Sequence, residues 1–334
     1  MRTAVIGGGS WGTALATVLA NKGEVVLWAR DPAVVTGINE THRNPKYQSV
    51  LELPAEIRAT TSLEEAVSGA ELVTLVVPSH GMREMCGRLG ALLPPGVPIV
   101  SASKGIENET LCTMEEVLNE ALPRALRSDV AFLSGPSFAA ETIARMVTAV
   151  TIAARYHDVA TAVQKAFSTS YFRCYTTEDV TGVELGGALK NVIAIAAGAA
   201  DGLGLGHNTR AALLTRGVAE ITRLAVKLGA NPLTLSGLAG MGDLVLTCTG
   251  NLSRNRHVGF EIGKGRLASE IVGEMKEIAE GVKTARSAHD LAMREGVDMP
   301  ITAEVFRMVH EDKPAKQAIR DLMSRDLRRE RESG

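Results

Sequence analysis

Residues 3–23 read TAVIGGGSWGTALATVLANKG, and this stretch decides the fold. A short apolar run, Thr3-Ala4-Val5-Ile6, meets glycines at 7, 9 and 12, and an alanine-rich helical pattern follows. Glycines in a Gly-x-Gly-x-x-Gly spacing are weak evidence alone. Leaving a strand and opening a helix near the start of a βαβ unit is the context that a dinucleotide cradle requires. In that role Gly7 allows the tight turn, Gly9 lets the backbone approach a pyrophosphate, and Gly12 lets the helix pack closely on the strand. The helix start then presents unpaired N–H groups and a partial positive charge to the phosphates. Gly23 is read as the left-handed residue that closes this helix.

Outward from the turn, apolar runs at 3–6, 25–28, 72–77, 98–102, 130–133, 148–153 and 171–175 alternate with helical patterns. Strands that are continuously apolar belong to a sheet buried on both faces and parallel for its larger part. Beyond residue 179 no strand pattern is found. Helical periodicity covers 184–200, 209–228, 283–295 and 302–310, punctuated by glycine and proline. The expected architecture is α/β: a Rossmann-type doubly wound domain over 1–178, then an all-helical domain over 179–334. The tail SRDLRRERESG reads as a solvated helix end.

The chain has 334 residues, 45% of them hydrophobic, and a net charge of -2, which suits a two-domain globular protein. Nothing strongly basic argues for nucleic acid as a partner. Cys86, Cys112, Cys174 and Cys248 are scattered, with no metal-ligand spacing, as expected in a reducing compartment. The first strand begins so early that no signal peptide fits, and the apolar run 192–200 is too short to span a bilayer. A cytoplasmic protein without membrane insertion is expected.

The residue at the end of the second strand selects the nucleotide: an acid there holds the ribose 2′-OH of NAD, an arginine the 2′-phosphate of NADP. If the strand is 25–29, that residue is Arg30, while Asp31-Pro32 reads as a helix N-cap with proline behind it. NADP(H) is therefore the favoured cofactor, with NAD(H) as a poorer or comparable one. A shift of one residue would hand the position to Asp31.

Ligands of doubly wound sheets bind beyond the carboxyl ends of the strands. Those ends deliver Lys104 in SASKG, and Gly135 and Ser137 in LSGPS. In VELGGALKNVIAIAAGAADG, Lys190 and Asn191 interrupt a small apolar helix, which is poorly explained unless they are paired or line a cavity. Asp243 is the sole charge between residues 228 and 252. Ser253 reads as an N-cap, and Arg254 and Arg256 in the first turn behind it oppose the helix dipole unless an anion rests there. Ser253, Arg254 and Asn255 supply donors suited to a phosphate. This set fits reduction of a carbonyl in a phosphorylated substrate. Lys190 polarises the oxygen and delivers its proton, Lys104 lowers the pKa of Lys190, and Asp243 orients it.

The blocks GGGSWGTALA, LVVPSH, SASKGIE, FLSGPSFAAE, GGALKNVIAIAAG, LAGMGDLVLTCTG, SRNRHVG and AEGVKT occur in this order along nearly the whole chain. Through them the sequence resembles the bacterial-type NAD(P)-dependent glycerol-3-phosphate dehydrogenases. The resemblance implies reduction of dihydroxyacetone phosphate to sn-glycerol 3-phosphate for glycerophospholipid synthesis, and a homodimer. It implies that Ser10, Trp11, Arg30, Lys104, Ala139, Arg254, Ile278 and Glu280 touch the dinucleotide. On the substrate side it implies Lys104, Gly135, Ser137, Lys190, Asp243, Ser253, Arg254 and Asn255. One departure is visible: NPKYQSVLELPAEI at 44–57 lacks a YLPG-like stretch. Two rivals are a β-hydroxyacid dehydrogenase-like reductase, which would space lysine and asparagine one helical turn apart, and a non-catalytic NADPH-binding protein.

Overall fold

The computed structural model describes residues 1–275, 279–327 and 329–330. Eight strands form one sheet in the order β3-β2-β1-β4-β5-β6-β7-β8. They are β1 (Thr3–Ile6), β2 (Val25–Trp28), β3 (Ile57–Thr60), β4 (Leu72–Leu75), β5 (Ile99–Ser101), β6 (Val130–Ser134), β7 (Thr148–Ala153) and β8 (Phe172–Thr177). Pairs are parallel except β6 with β7. The first six strands follow the doubly wound order, as expected. Side chains of β1 alternate between two cores: Val5 joins the cluster with Leu15 and Leu27, while Ala4 and Ile6 join that with Leu89 and Val117. This two-sided burial is why the strand reads as an unbroken apolar run.

Strand β3 escapes the apolar pattern. Arg58 sits at its middle and pairs with Glu24 and Glu65, so an edge position suits it. The first helix, α1 (Ser10–Leu19), ends at Ala20, and Gly23 is no helix cap. Its φ of +146° lies outside the left-handed helical region, and a Cβ there would come within 2.3 Å of the Met1 carbonyl oxygen.

After β8 the described residues are helical. The run 192–200 proves to be the interior of one long helix, Val180–Gly202, capped by Asp179. By length and composition this helix could cross a membrane, correcting the expectation that the run is too short. It lies inside the protein, with 94% of its most apolar window buried. It is the axis of a separate apolar core that also holds Leu224, Leu244, Val258 and Leu291.

Candidate active site

The chain leaves β1 toward β2 and β3, then returns to the other side of β1 with β4. The switch point of the sheet therefore lies at the ends of β1 and β4. There, a Cβ on Gly7 would meet the Val76 carbonyl oxygen at 2.2 Å, and one on Gly12 would meet the Gly7 carbonyl oxygen at 1.8 Å. Gly9 is the opposite case: a Cβ would meet nothing. It is also the N-cap of α1, where no side chain caps the helix. An uncapped helix start with open space over the middle glycine fits a dinucleotide pyrophosphate. Trp11 and Ala139 both pack on the core cluster under this turn. Trp11 Nε1 is buried without a hydrogen-bond partner among the described residues.

Lys104 leaves the end of β5, and Lys190 lies midway along the long helix. Their ammonium groups meet on one carboxylate: Lys104 Nζ is 2.6 Å from Asp243 Oδ2 and Lys190 Nζ is 2.6 Å from Oδ1. Asp243 and Lys190 are buried. Asp243 opens the short helix Asp243–Thr249, and Thr247, one turn on, accepts a second bond from Lys190 Nζ at 2.8 Å. The Thr247 hydroxyl in turn donates to the Asp243 carbonyl at 2.6 Å. Burial pushes the Lys190 pKa down from 10.5 to about 8; Asp243 resists the drop and Lys104 adds to it. Thr247 was not anticipated, although its spacing of four from Asp243 puts both on one helix face.

The backbone lets this cluster assemble. A Cβ on Gly187 would meet the Ser134 hydroxyl at 2.6 Å and Lys104 Cδ at 3.7 Å, so glycine admits the β5 and β6 ends against the long helix. Gly135, just beyond β6, has φ +150°, and the Ser137 hydroxyl donates to its carbonyl at 3.0 Å.

The helix Arg254–Gly263 lies against the same long helix. A Cβ on Gly198 would fall 2.0 Å from the Arg256 carbonyl oxygen, and one on Gly259 2.0 Å from that of Ile195. Ser253 caps the helix by accepting from the Arg256 N–H at 3.2 Å, as expected. Asn255 Nδ2 donates to Asn191 Oδ1 at 3.0 Å, and its Oδ1 accepts from the Gly281 N–H at 2.9 Å. Arg256 departs from the anticipated anion site. Its guanidinium pairs with Asp201 at 2.7 Å, which relieves the dipole conflict without a ligand. Arg254 neighbours the partly buried Glu280, whose pKa is raised by desolvation against the pull of Arg254, Lys104 and Lys190. Ile278 lies outside the described residues.

Past β2, Arg30 is exposed and Asp31 caps α2 (Pro32–Thr41) by accepting from the Ala33 N–H at 2.9 Å.

A switch-point cradle joined to a buried lysine–aspartate cluster defines a dinucleotide-dependent oxidoreductase whose second layer is helical. Residues 2–160 match the family described as NAD-dependent glycerol-3-phosphate dehydrogenase N-terminus, and residues 179–320 match its C-terminus. The chain belongs to that family. It is 59% identical over 331 residues to the glycerol-3-phosphate dehydrogenase [NAD(P)+] of Myxococcus xanthus, covering 99% of each chain. Identity to the Geobacter sulfurreducens enzyme of the same name is 55%, again over 99% of each. The crystal structure of glycerol-3-phosphate dehydrogenase from Coxiella burnetii superposes with a TM-score of 0.91 at 37% identity, over 97% of this chain and 99% of that one.

Proposed function

We propose that the protein reduces dihydroxyacetone phosphate reversibly to sn-glycerol 3-phosphate, using NAD(P)H. The observation that carries the mechanism is the sharing of Asp243 by Lys190 and Lys104. A dinucleotide held on the glycine turn would supply the hydride that the carbonyl carbon needs. Lys190 Nζ polarises the carbonyl oxygen and gives it a proton, leaving a neutral amine. In the reverse direction that amine takes the proton from the alcohol. Asp243 and Thr247 hold Nζ in place for both. Lys104 lowers the proton affinity of Lys190, which keeps both protonation states within reach near neutral pH.

The substrate phosphate rests on the start of the Arg254–Gly263 helix, with Ser253, Arg254 and Asn255 around it and Asn191 steadying Asn255. Gly135 and Ser137 line the same space from the sheet. Gly7, Gly9, Ser10, Trp11 and Gly12 cradle the dinucleotide, Arg30 faces the ribose 2′-position, and Ala139, Arg254, Ile278 and Glu280 complete its contacts. Family resemblance supports these roles, and for all of them but Ile278 so do the positions described above. The working division is a nucleotide domain over 1–178 and a catalytic helical domain over 179–334, in a cytoplasmic homodimer that supplies glycerophospholipid synthesis.

The test is initial rate with dihydroxyacetone phosphate, comparing NADPH with NADH, for wild type and Arg30→Glu. Turnover that favours NADPH and shifts toward NADH in the variant supports both reaction and nucleotide site. A folded protein that binds NADPH and turns over neither pair refutes the substrate assignment.

A further inference from the structure

The segment beginning at Asn44 is built onto the glycine turn. Asn44 is fully buried. Its Nδ2 donates to the Gly8 carbonyl at 2.9 Å and to the Thr13 hydroxyl at 2.8 Å. Its Oδ1 accepts from the N–H groups of Lys46 and Tyr47, each at 3.3 Å. A buried amide with its donor and acceptor engaged fixes the loop's position. The loop thereby carries Lys46, itself exposed, to the acid that follows β2.

From there Lys46 Nζ pairs with Asp31 Oδ2, while Asp31 Oδ1 accepts from the Ala33 N–H. Both oxygens of the acid beside Arg30 are thus engaged. The Lys46 bond holds the Asp31 carboxyl below the usual carboxylate range. Asp31 is the group that would hold a ribose 2′-OH after a one-residue shift at the end of β2. The β1–β2 register puts that strand end beside the glycine turn, with the Gly7 N–H donating to the Trp28 carbonyl at 3.0 Å.

We propose that Lys46 determines nucleotide specificity: it withholds Asp31 from the ribose 2′-hydroxyl of NADH and brings a second cation, beside Arg30, to the 2′-phosphate of NADPH. The inference rests on the NADP(H) reading above. A lysine elsewhere on the loop would leave Asp31 to bind the ribose. Losing a hydrogen bond to a charged group weakens binding by about tenfold.

The experiment is fluorescence titration of the full-length protein with NADPH and with NADH, for wild type, Lys46→Met and Lys46→Arg, with no substrate present. The expected result is NADPH affinity about tenfold weaker in Lys46→Met, NADH affinity unchanged or tighter, and the wild-type ratio kept by Lys46→Arg. An unchanged ratio in Lys46→Met, whether both affinities move or neither does, overturns the proposal. Wild type that binds NADH and not NADPH overturns it together with the NADP(H) reading. Because binding is read without substrate, failure of the dihydroxyacetone phosphate assignment would leave this result standing and separately visible.

Discussion

Lys190 Nζ stands 2.6 Å from Asp243 Oδ1, a buried ammonium on a buried carboxylate. Neither charge is stable there alone, because an unpaired buried ion is costly. Together they leave a lysine whose proton is held less tightly than in water, about 8 against an ordinary 10.5.

The pH dependence follows with a definite sign in each direction. In the proposed mechanism reduction needs the protonated ammonium, so its kcat falls as pH rises through about 8. Oxidation of the alcohol needs the neutral amine, so its kcat rises through the same region. Opposite limbs in the two directions, measured as kcat against pH, check this.

Lys104 sets where those limbs fall. Its charge lowers the Lys190 pKa, so Lys104→Met moves the alkaline limb of reduction to higher pH. The variant also leaves Asp243 with one cation in place of two. A limb that stays put or moves to lower pH would detach Lys104 from this role.

What the sequence revealed tracks how locally each feature is written. β1, β2 and β4 were readable because their residues are buried on both faces. β3 was not, because Arg58 breaks the apolar run at an edge. Lys190 and Asp243 stood out as lone charges in apolar surroundings, and the structure pairs them. Arg256 was grouped with the anion site because its partner Asp201 lies 55 residues away. Thr247 carries no signal beyond its spacing, since a helical threonine is ordinary. Glu280 came from resemblance alone.

The two interior helices have no room for a methyl group between them. Gly198→Ala would place Cβ 2.0 Å from the Arg256 carbonyl oxygen. Overpacking of this kind costs about 1–3 kcal/mol, which lowers Tm by several degrees. Because the Arg254–Gly263 helix carries Ser253 and Asn255 of the proposed phosphate site, KM for dihydroxyacetone phosphate is expected to rise more than KM for the nucleotide. Gly87→Ala, at an exposed helical position where a Cβ meets nothing, serves as the control and keeps or raises Tm.

Glu220 supplies a stability signature far from the chemistry. Its buried carboxyl accepts from the Ile301 N–H at 2.7 Å and the Thr302 N–H at 3.1 Å, capping the helix Pro300–His310. Burial pushes its pKa up from 4.5 to about 7, against those bonds. The native state therefore keeps a proton that the unfolded chain has lost, and stability falls as pH rises from about 4.5 to about 7. Urea unfolding across this window detects the slope, and Glu220→Gln flattens it.

In the proposed reaction Lys190 moves the proton. The most direct test is single-turnover reduction of dihydroxyacetone phosphate by wild type and Lys190→Met, each first shown to bind NADPH. Equal nucleotide binding and a rate lower by about 10²–10⁴ in the variant are expected. A variant that binds NADPH and reduces the substrate at the wild-type rate would contradict it.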